Sequence, residues 1–163
     1  MKQYLHMIIS GGQTGVDLAG LEAANITGIR TGGCAPKFYR TEDGHSAILK
    51  TRFGLYESHS REYPERTKEN IEKSDCTLII YGKVSKGSIL SKNLCEKFKK
   101  PHLYIALDDV NIEKSIKEFV SRISAMEGRK VVVNVAGNRE SVCPGIRSKV
   151  REILIKCIED DRD

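Results

Sequence analysis

Tyr4–Asp17 reads YLHMIISGGQTGVD, and this stretch decides the fold. Tyr4–Ile9 is a short apolar run of the kind that forms a buried strand, and Ser10-Gly11-Gly12 is a turn. Beyond it, Val16, Leu18, Ala19, Leu21, Ala23 and Ala24 suit a buried helix to about Ile26, stopped by Thr27-Gly28. Strand, glycine loop and helix thus follow one another within the first 28 residues. The glycines at 11, 12 and 15 allow tight or left-handed backbone and let a ligand approach the main chain. The helix behind them points free N–H groups and a positive dipole end at the same spot. Ser10, Gln13 and Thr14 add side-chain donors, and Asp17 falls in the first turn. The loop lacks the lysine of a Walker loop and the spacing of GxGxxG. It reads either as an anion cradle or as a plain strand-to-helix turn.

The same alternation continues along the chain. Arg30–Pro36 (RTGGCAP) predicts a short strand and a loop, and 37–63 shows no period and reads as a long irregular loop. Pro64 opens a helix to about Lys73. Cys76–Tyr81 (CTLIIY), His102–Leu107 (HLYIAL) and Lys130–Val135 (KVVVNV) read as strands. Helices are expected over Ser88–Lys99, over Asn111–Met126 with Asn111 as cap and Gly128 as stop, and from Pro144 to about Ile158. The tail EDDRD reads as frayed. Strands that are continuous apolar runs alternating with helices predict a doubly wound, mostly parallel α/β sheet with helices on both faces, built as one domain over 1–163.

Composition bounds the function. The 163 residues carry a net charge of +5, but acids and bases interleave, which favours a solvated surface over a nucleic-acid stripe. A modest positive field still suits an anionic small ligand. No run approaches a membrane span, the N-terminus does not read as a signal peptide, and five cysteines without a CxxC pair suit reduced thiols in a cytoplasmic protein.

Other segments could meet the glycine loop at the carboxyl ends of the strands, where open α/β sheets bind ligands. Gly32-Gly33 and Pro36-Lys37, with Arg40, could neutralise phosphate or be a surface loop with incidental charge. Cys34 reads as inert rather than reactive. Arg66, Thr67 and Asn70 share about one helical turn and could close over a ligand or only cap and pair. Gly87-Ser88 predicts a second, weaker anion cradle. Asn134, Ala136, Gly137, Asn138, Arg139, Glu140 and Ser141 could hold a ligand or fasten the last helix, with Ser141 or a neighbour capping it. His6, His45, His59 and His102 are isolated, so neither metal hydrolysis nor a Ser-His-Asp triad has support. Valine at Gly12 is expected to abolish binding and leave the fold intact.

The blocks ISGGQTGVDLAGLEAA, GGCAPKFYRTEDG, YPERTKENIEKSDCTLII, KGSILS and NVAGNRESVCPGI resemble, in that order, the molybdenum carrier (molybdenum cofactor carrier-like) family of the SLOG superfamily of Rossmann-like domains. The resemblance covers about Ile8 to Leu154. It implies a homo-oligomer that holds molybdenum cofactor, a pterin with a phosphate, rather than transforming it. It also implies ligand-facing roles for Ser10–Asp17, Gly32-Gly33, Pro36-Lys37, Arg66, Thr67, Asn70, Gly87-Ser88 and Asn134–Ser141. Cys34 stands where the family pattern has a tryptophan, Phe38 where it has a small residue, and Ser88 where it has a threonine.

Three functions fit, in this order. The first is a carrier or sequestering protein for molybdenum cofactor or another phosphorylated nucleotide-like ligand. The second is a sensor or sponge for a nucleotide messenger such as an ADP-ribose derivative. The third is a nucleotide N-glycosidic hydrolase, which related domains with a PGGxGTxxE motif imply but for which no Glu follows SGGQTGVD at that spacing.

Overall fold

The computed structural model describes residues 1–60 and 62–159. Five parallel strands form the central sheet: β1 (Leu5–Ile9), β2 (Arg30–Gly32), β7 (Cys76–Tyr81), β8 (His102–Ala106) and β9 (Val131–Gly137). Their order is β2-β1-β9-β7-β8, so the last strand lies in the middle, between β1 and β7. Between β2 and β7 come β3 (Cys34–Ala35), β4 (Arg40–Thr41), β5 (Gly44–His45), the short helix α2 (Ile48–Thr51), β6 (Tyr56–Glu57) and α3 (Tyr63–Lys73). The remaining helices are α1 (Val16–Thr27), α4 (Lys86–Lys97), α5 (Ile112–Glu127) and α6 (Ile146–Glu159). The expected doubly wound α/β architecture is present.

Both sheet faces are covered, which is why the strands read as unbroken apolar runs. On β7, Cys76, Leu78 and Ile80 join the core beneath α1, α5 and α6, while Ile79 joins Ile71 of α3 and Cys95 of α4 on the other side. Helix α1 lies close on the sheet because it is rich in small residues; a Cβ on Gly20 would come within 2.8 Å of the Val135 side chain. Gly28 ends α1 and Gly128 ends α5 in left-handed conformations, as glycine at a helix end does. Ile112, Ile116, Phe119, Val120 and Ile123 give α5 its single buried face.

Several boundaries differ from expectation. The 37–63 segment is not an irregular loop. It holds a 3-10 turn, the two-stranded sheet of β4 and β5, α2, and β6, which pairs with β3, packed around Leu21, Ala35, Tyr39, Leu49, Phe53 and Leu55. Helix α4 begins at Lys86 because Ser85, not Gly87, is its cap. Helix α6 begins at Ile146 rather than Pro144. Asn111 occupies the cap position of α5 without a side-chain bond. The tail lies outside the described residues beyond Glu159. No helix among the described residues is long and apolar enough to cross a membrane.

Candidate functional site

Because the sheet is parallel, the loops leaving β1, β9 and β7 all emerge at one edge. The chain winds outward from β1 to β2 on one side and from β7 to β8 on the other, so a crevice opens between them. A cleft of about 430 Å³ fills it, within the range of small-molecule sites.

Twelve of the expected residues line this cleft: Gly11, Gln13 and Asp17 from the first loop, Arg66, Thr67 and Asn70 from α3, Gly87 from α4, and Asn134, Ala136, Gly137, Arg139 and Ser141 from β9 and its loop. Strand alternation explains the last group. Val131, Val133 and Val135 point into the apolar core, which sends Asn134 and Ala136 to the cleft side.

At its floor, Arg66 donates from Nη1 to Asp17 Oδ2 at 2.7 Å, with both side chains at least nine-tenths buried. The Asp17 carboxylate also accepts the Gln13 N–H at 3.2 Å. Two donors are left over. Arg66 Nε and Gln13 Nε2 are buried and have no acceptor. A buried donor without a partner costs about 1–3 kcal/mol, so a ligand acceptor there would be rewarded.

Of the other eleven expected residues, nine build the cleft rather than line it, and Pro36 and Lys37 lie outside it. Ser10 shapes its loop by donating to the Asp17 carbonyl and accepting the Gly12 N–H. Gly15 has φ 78°, and a Cβ there would sit 2.2 Å from the Asn138 carbonyl; Gly33, at φ 123°, meets Ser10 just as closely. Gly32 accepts the Ser10 N–H. Gly12 has φ 72°, and a Cβ there would come within 2.8–3.0 Å of Leu49 and Leu55, so valine would strain the backbone and the small core together. The expectation that Gly12→Val spares the fold is therefore corrected. The loop is also less open to an anion than its glycines suggest. Its N–H groups at Gly12, Gln13, Thr14 and Val16 already have acceptors in Ser10, Asp17, Gln13 and Asn138.

Asn138 is fully spent: Oδ1 accepts from Gly82 and Lys83, and Nδ2 donates to the Lys83 carbonyl and Ser85 Oγ. Glu140, rather than Ser141, caps α6, accepting the Gly145 and Arg147 N–H groups. Ser88 closes a capping box with Ser85, so its hydroxyl serves the helix and the proposed cradle at Gly87-Ser88 is taken up by the cap. Thr14 is held by Glu42 and by the Glu140 N–H. Pro36 is buried ahead of the 3-10 turn, and Lys37 lies in a neighbouring, shallower depression of about 690 Å³.

Sequence reasoning missed Tyr63, Ser85, Lys86 and Ser91, which line the cleft, and Glu42, which organises it. Ser85-x-x-Ser88 carried a readable capping signal. Glu42 had none, because its carboxylate joins Thr14 to Ser141 across the chain. Burial pushes that carboxyl up, but bonds from Ser141 and Thr14 and the charge of Arg139 hold it below the ordinary range. Among the described residues no cluster of His, Cys, Asp and Glu could hold a metal ion. Cys34, beside the cleft, is poorly placed to act as a thiolate. Burial and the Glu69 carboxylate 3.2 Å away push its thiol up to about 12.

Comparison with known proteins agrees with this architecture. No curated protein matches the chain. A solved structure from Syntrophus aciditrophicus SB, described as "Putative molybdenum carrier protein", is similar at 34% identity and a TM-score of 0.83, over 98% of each chain. The model of the circularly permutated YpsA SLOG family matches residues 8–158. With that match spanning nearly the whole chain and the glycine loop at the head of the crevice, the chain belongs to the circularly permutated YpsA SLOG family.

Proposed function

We propose that the cleft binds a phosphate-bearing, nucleotide-like small molecule and holds it without turnover, as a molybdenum cofactor carrier does. The observation that carries this reading is the pair of buried donors without acceptors, Arg66 Nε and Gln13 Nε2, at the floor of a cleft with Arg139 and Lys86 in its wall. Phosphate oxygens suit a guanidinium fork. Because Asp17 is engaged by Arg66 and Gln13, it is a positioning group for Arg66 rather than a free acid, which favours holding over hydrolysis. The similar structure's description as a carrier supports the same reading. What fits molybdenum cofactor here is its phosphate; the pterin would lie against Tyr63, Pro64 and Leu90 along the wall. A homo-oligomer in the cytoplasm completes the proposal, and light scattering of the purified chain checks its size.

Native mass spectrometry, with an inventory of what is released on denaturation, tests the ligand. A pterin phosphate with molybdenum supports the carrier; an adenine nucleotide would make the protein a messenger sponge instead. Calorimetry with orthophosphate tests the floor. Arg66→Gln is expected to weaken binding by about tenfold or more, and unchanged affinity in the folded variant would remove Arg66 from the site.

A further inference from the structure

The cleft does not end at its own rim. Tyr63 and Arg139 line both it and the shallower depression that holds Lys37 and Arg40. Three guanidinium groups gather on the Tyr63 ring, with Arg40, Arg66 and Arg139 carbons 5.7, 5.6 and 4.7 Å from its centroid. Arg66 answers to Asp17. Arg40, Arg139 and Lys37 form no ion pair with any carboxylate among the described residues, whereas Arg129, Arg147 and Arg151 all do. The acid lining the depression, Glu42, is occupied by Thr14 and Ser141 and feels the charge of Arg139 without forming an ion pair with it. Glu57, close by, accepts the Phe38 N–H. Cations held on one ring repel each other within the roughly 8 Å screening length of physiological salt. The ring face offsets only about 0.5–1 kcal/mol of this at an exposed site.

We propose that the outer depression is a second anion subsite, and that the ligand carries two anionic groups, one on each side of Tyr63. The chemical class is a diphosphate-bridged or polyphosphate-bearing small molecule; a pterin with a single phosphate would fill only the inner subsite. Arg66 takes the inner group; Arg40 and Lys37 take the outer one, and Arg139 stands between. This inference rests on the reading of the cleft as an anion site.

Calorimetry on the full chain tests it with two probes, inorganic orthophosphate and inorganic tripolyphosphate. Tripolyphosphate is expected to bind the wild type about tenfold tighter than orthophosphate. Arg40→Gln should remove most of that advantage and change orthophosphate affinity by less than about twofold. Lys114→Gln, which removes one positive charge on α5, should keep it. Equal affinity for the two probes overturns the proposal, and so do equal losses in Arg40→Gln and Lys114→Gln, which would mark a long-range charge effect. The inner site is judged separately. If Arg66→Gln leaves orthophosphate binding unchanged, the cleft reading fails, whatever Arg40→Gln does to tripolyphosphate.

Discussion

Helix α1 sends two carboxylates to arginines of other helices, and the Glu22 and Asp17 sites are built differently. Glu22 receives both Nε and Nη2 of Arg147, a complete fork, and Arg151 Nη1 stands 3.5 Å from Oε2, the oxygen that accepts Arg147 Nε. Asp17 receives only Nη1 of Arg66 and leaves Nε buried without an acceptor. Arg147 is 42% exposed and can turn to water, whereas Arg66 is 10% exposed and cannot. The first pair is a clasp between α1 and α6. The second is a half-filled fork, on a residue that lines the cleft. One helix therefore shows what a guanidinium looks like when its task is finished and when a donor is held in reserve.

The largest effect should come from Asp17→Ala. It leaves Arg66 buried without counter-charge, a loss of about 3 kcal/mol, measured by urea denaturation. Orthophosphate should restore part of that stability by binding the uncovered guanidinium; no restoration would mean Arg66 does not face the anion. Glu22→Ala is expected to cost less, about 1–2 kcal/mol, because Arg147 can be rehydrated. Arg147→Gln should cost about 1 kcal/mol and leave orthophosphate affinity as in the wild type, so reduced affinity would blur the distinction between clasp and site.

The clasp also has a pH signature. Burial pushes the Glu22 carboxyl up, but the bonds from Arg147 and the charges of Arg147, Arg151 and Arg52 bring it below its ordinary 4.5. A carboxyl that titrates lower in the folded chain adds stability above its unfolded value, and that stability is lost as pH falls through the folded value. The gap between wild type and Arg147→Gln should therefore be full at pH 7 and narrow below about 4.5. A gap that stays constant would remove the linkage. The smallest effect concerns Cys34. With its thiol near 12, it should stay unlabelled by a thiol reagent at pH 8 while the half-buried Cys143 reacts.

What the sequence disclosed, and what it hid, follows from where each contact lies along the chain. β7 was legible because Cys76, Leu78 and Ile80 bury on one face and Ile79 on the other, with Thr77 buried among them. The 37–63 segment was not, because its core draws Tyr39, Leu49, Phe53 and Leu55 from short elements that share no period. At the site, Arg66 and Gln13 could be named from the order of blocks. The glycines were found but their duty was misjudged: Gly12, Gly15 and Gly33 bring segments of chain together more than they admit a ligand. Tyr63 was passed over as the last residue of a loop, although it is the first residue of α3 and the ring on which the arginines meet.

The central position of β9 has a consequence for how the molecule is made. Ribosomal synthesis delivers β1, β2, β7 and β8 before the strand that joins the two pairs, so β1 and β7 each wait with an open edge until residues beyond 131 emerge. Open edges invite pairing with other chains, and joining strands far apart in sequence is slow. The nascent chain is thus most prone to aggregate just before β9 emerges. The same late segment brings Asn134 and Arg139 to the crevice, so a chain stalled before it lacks that wall of the cleft.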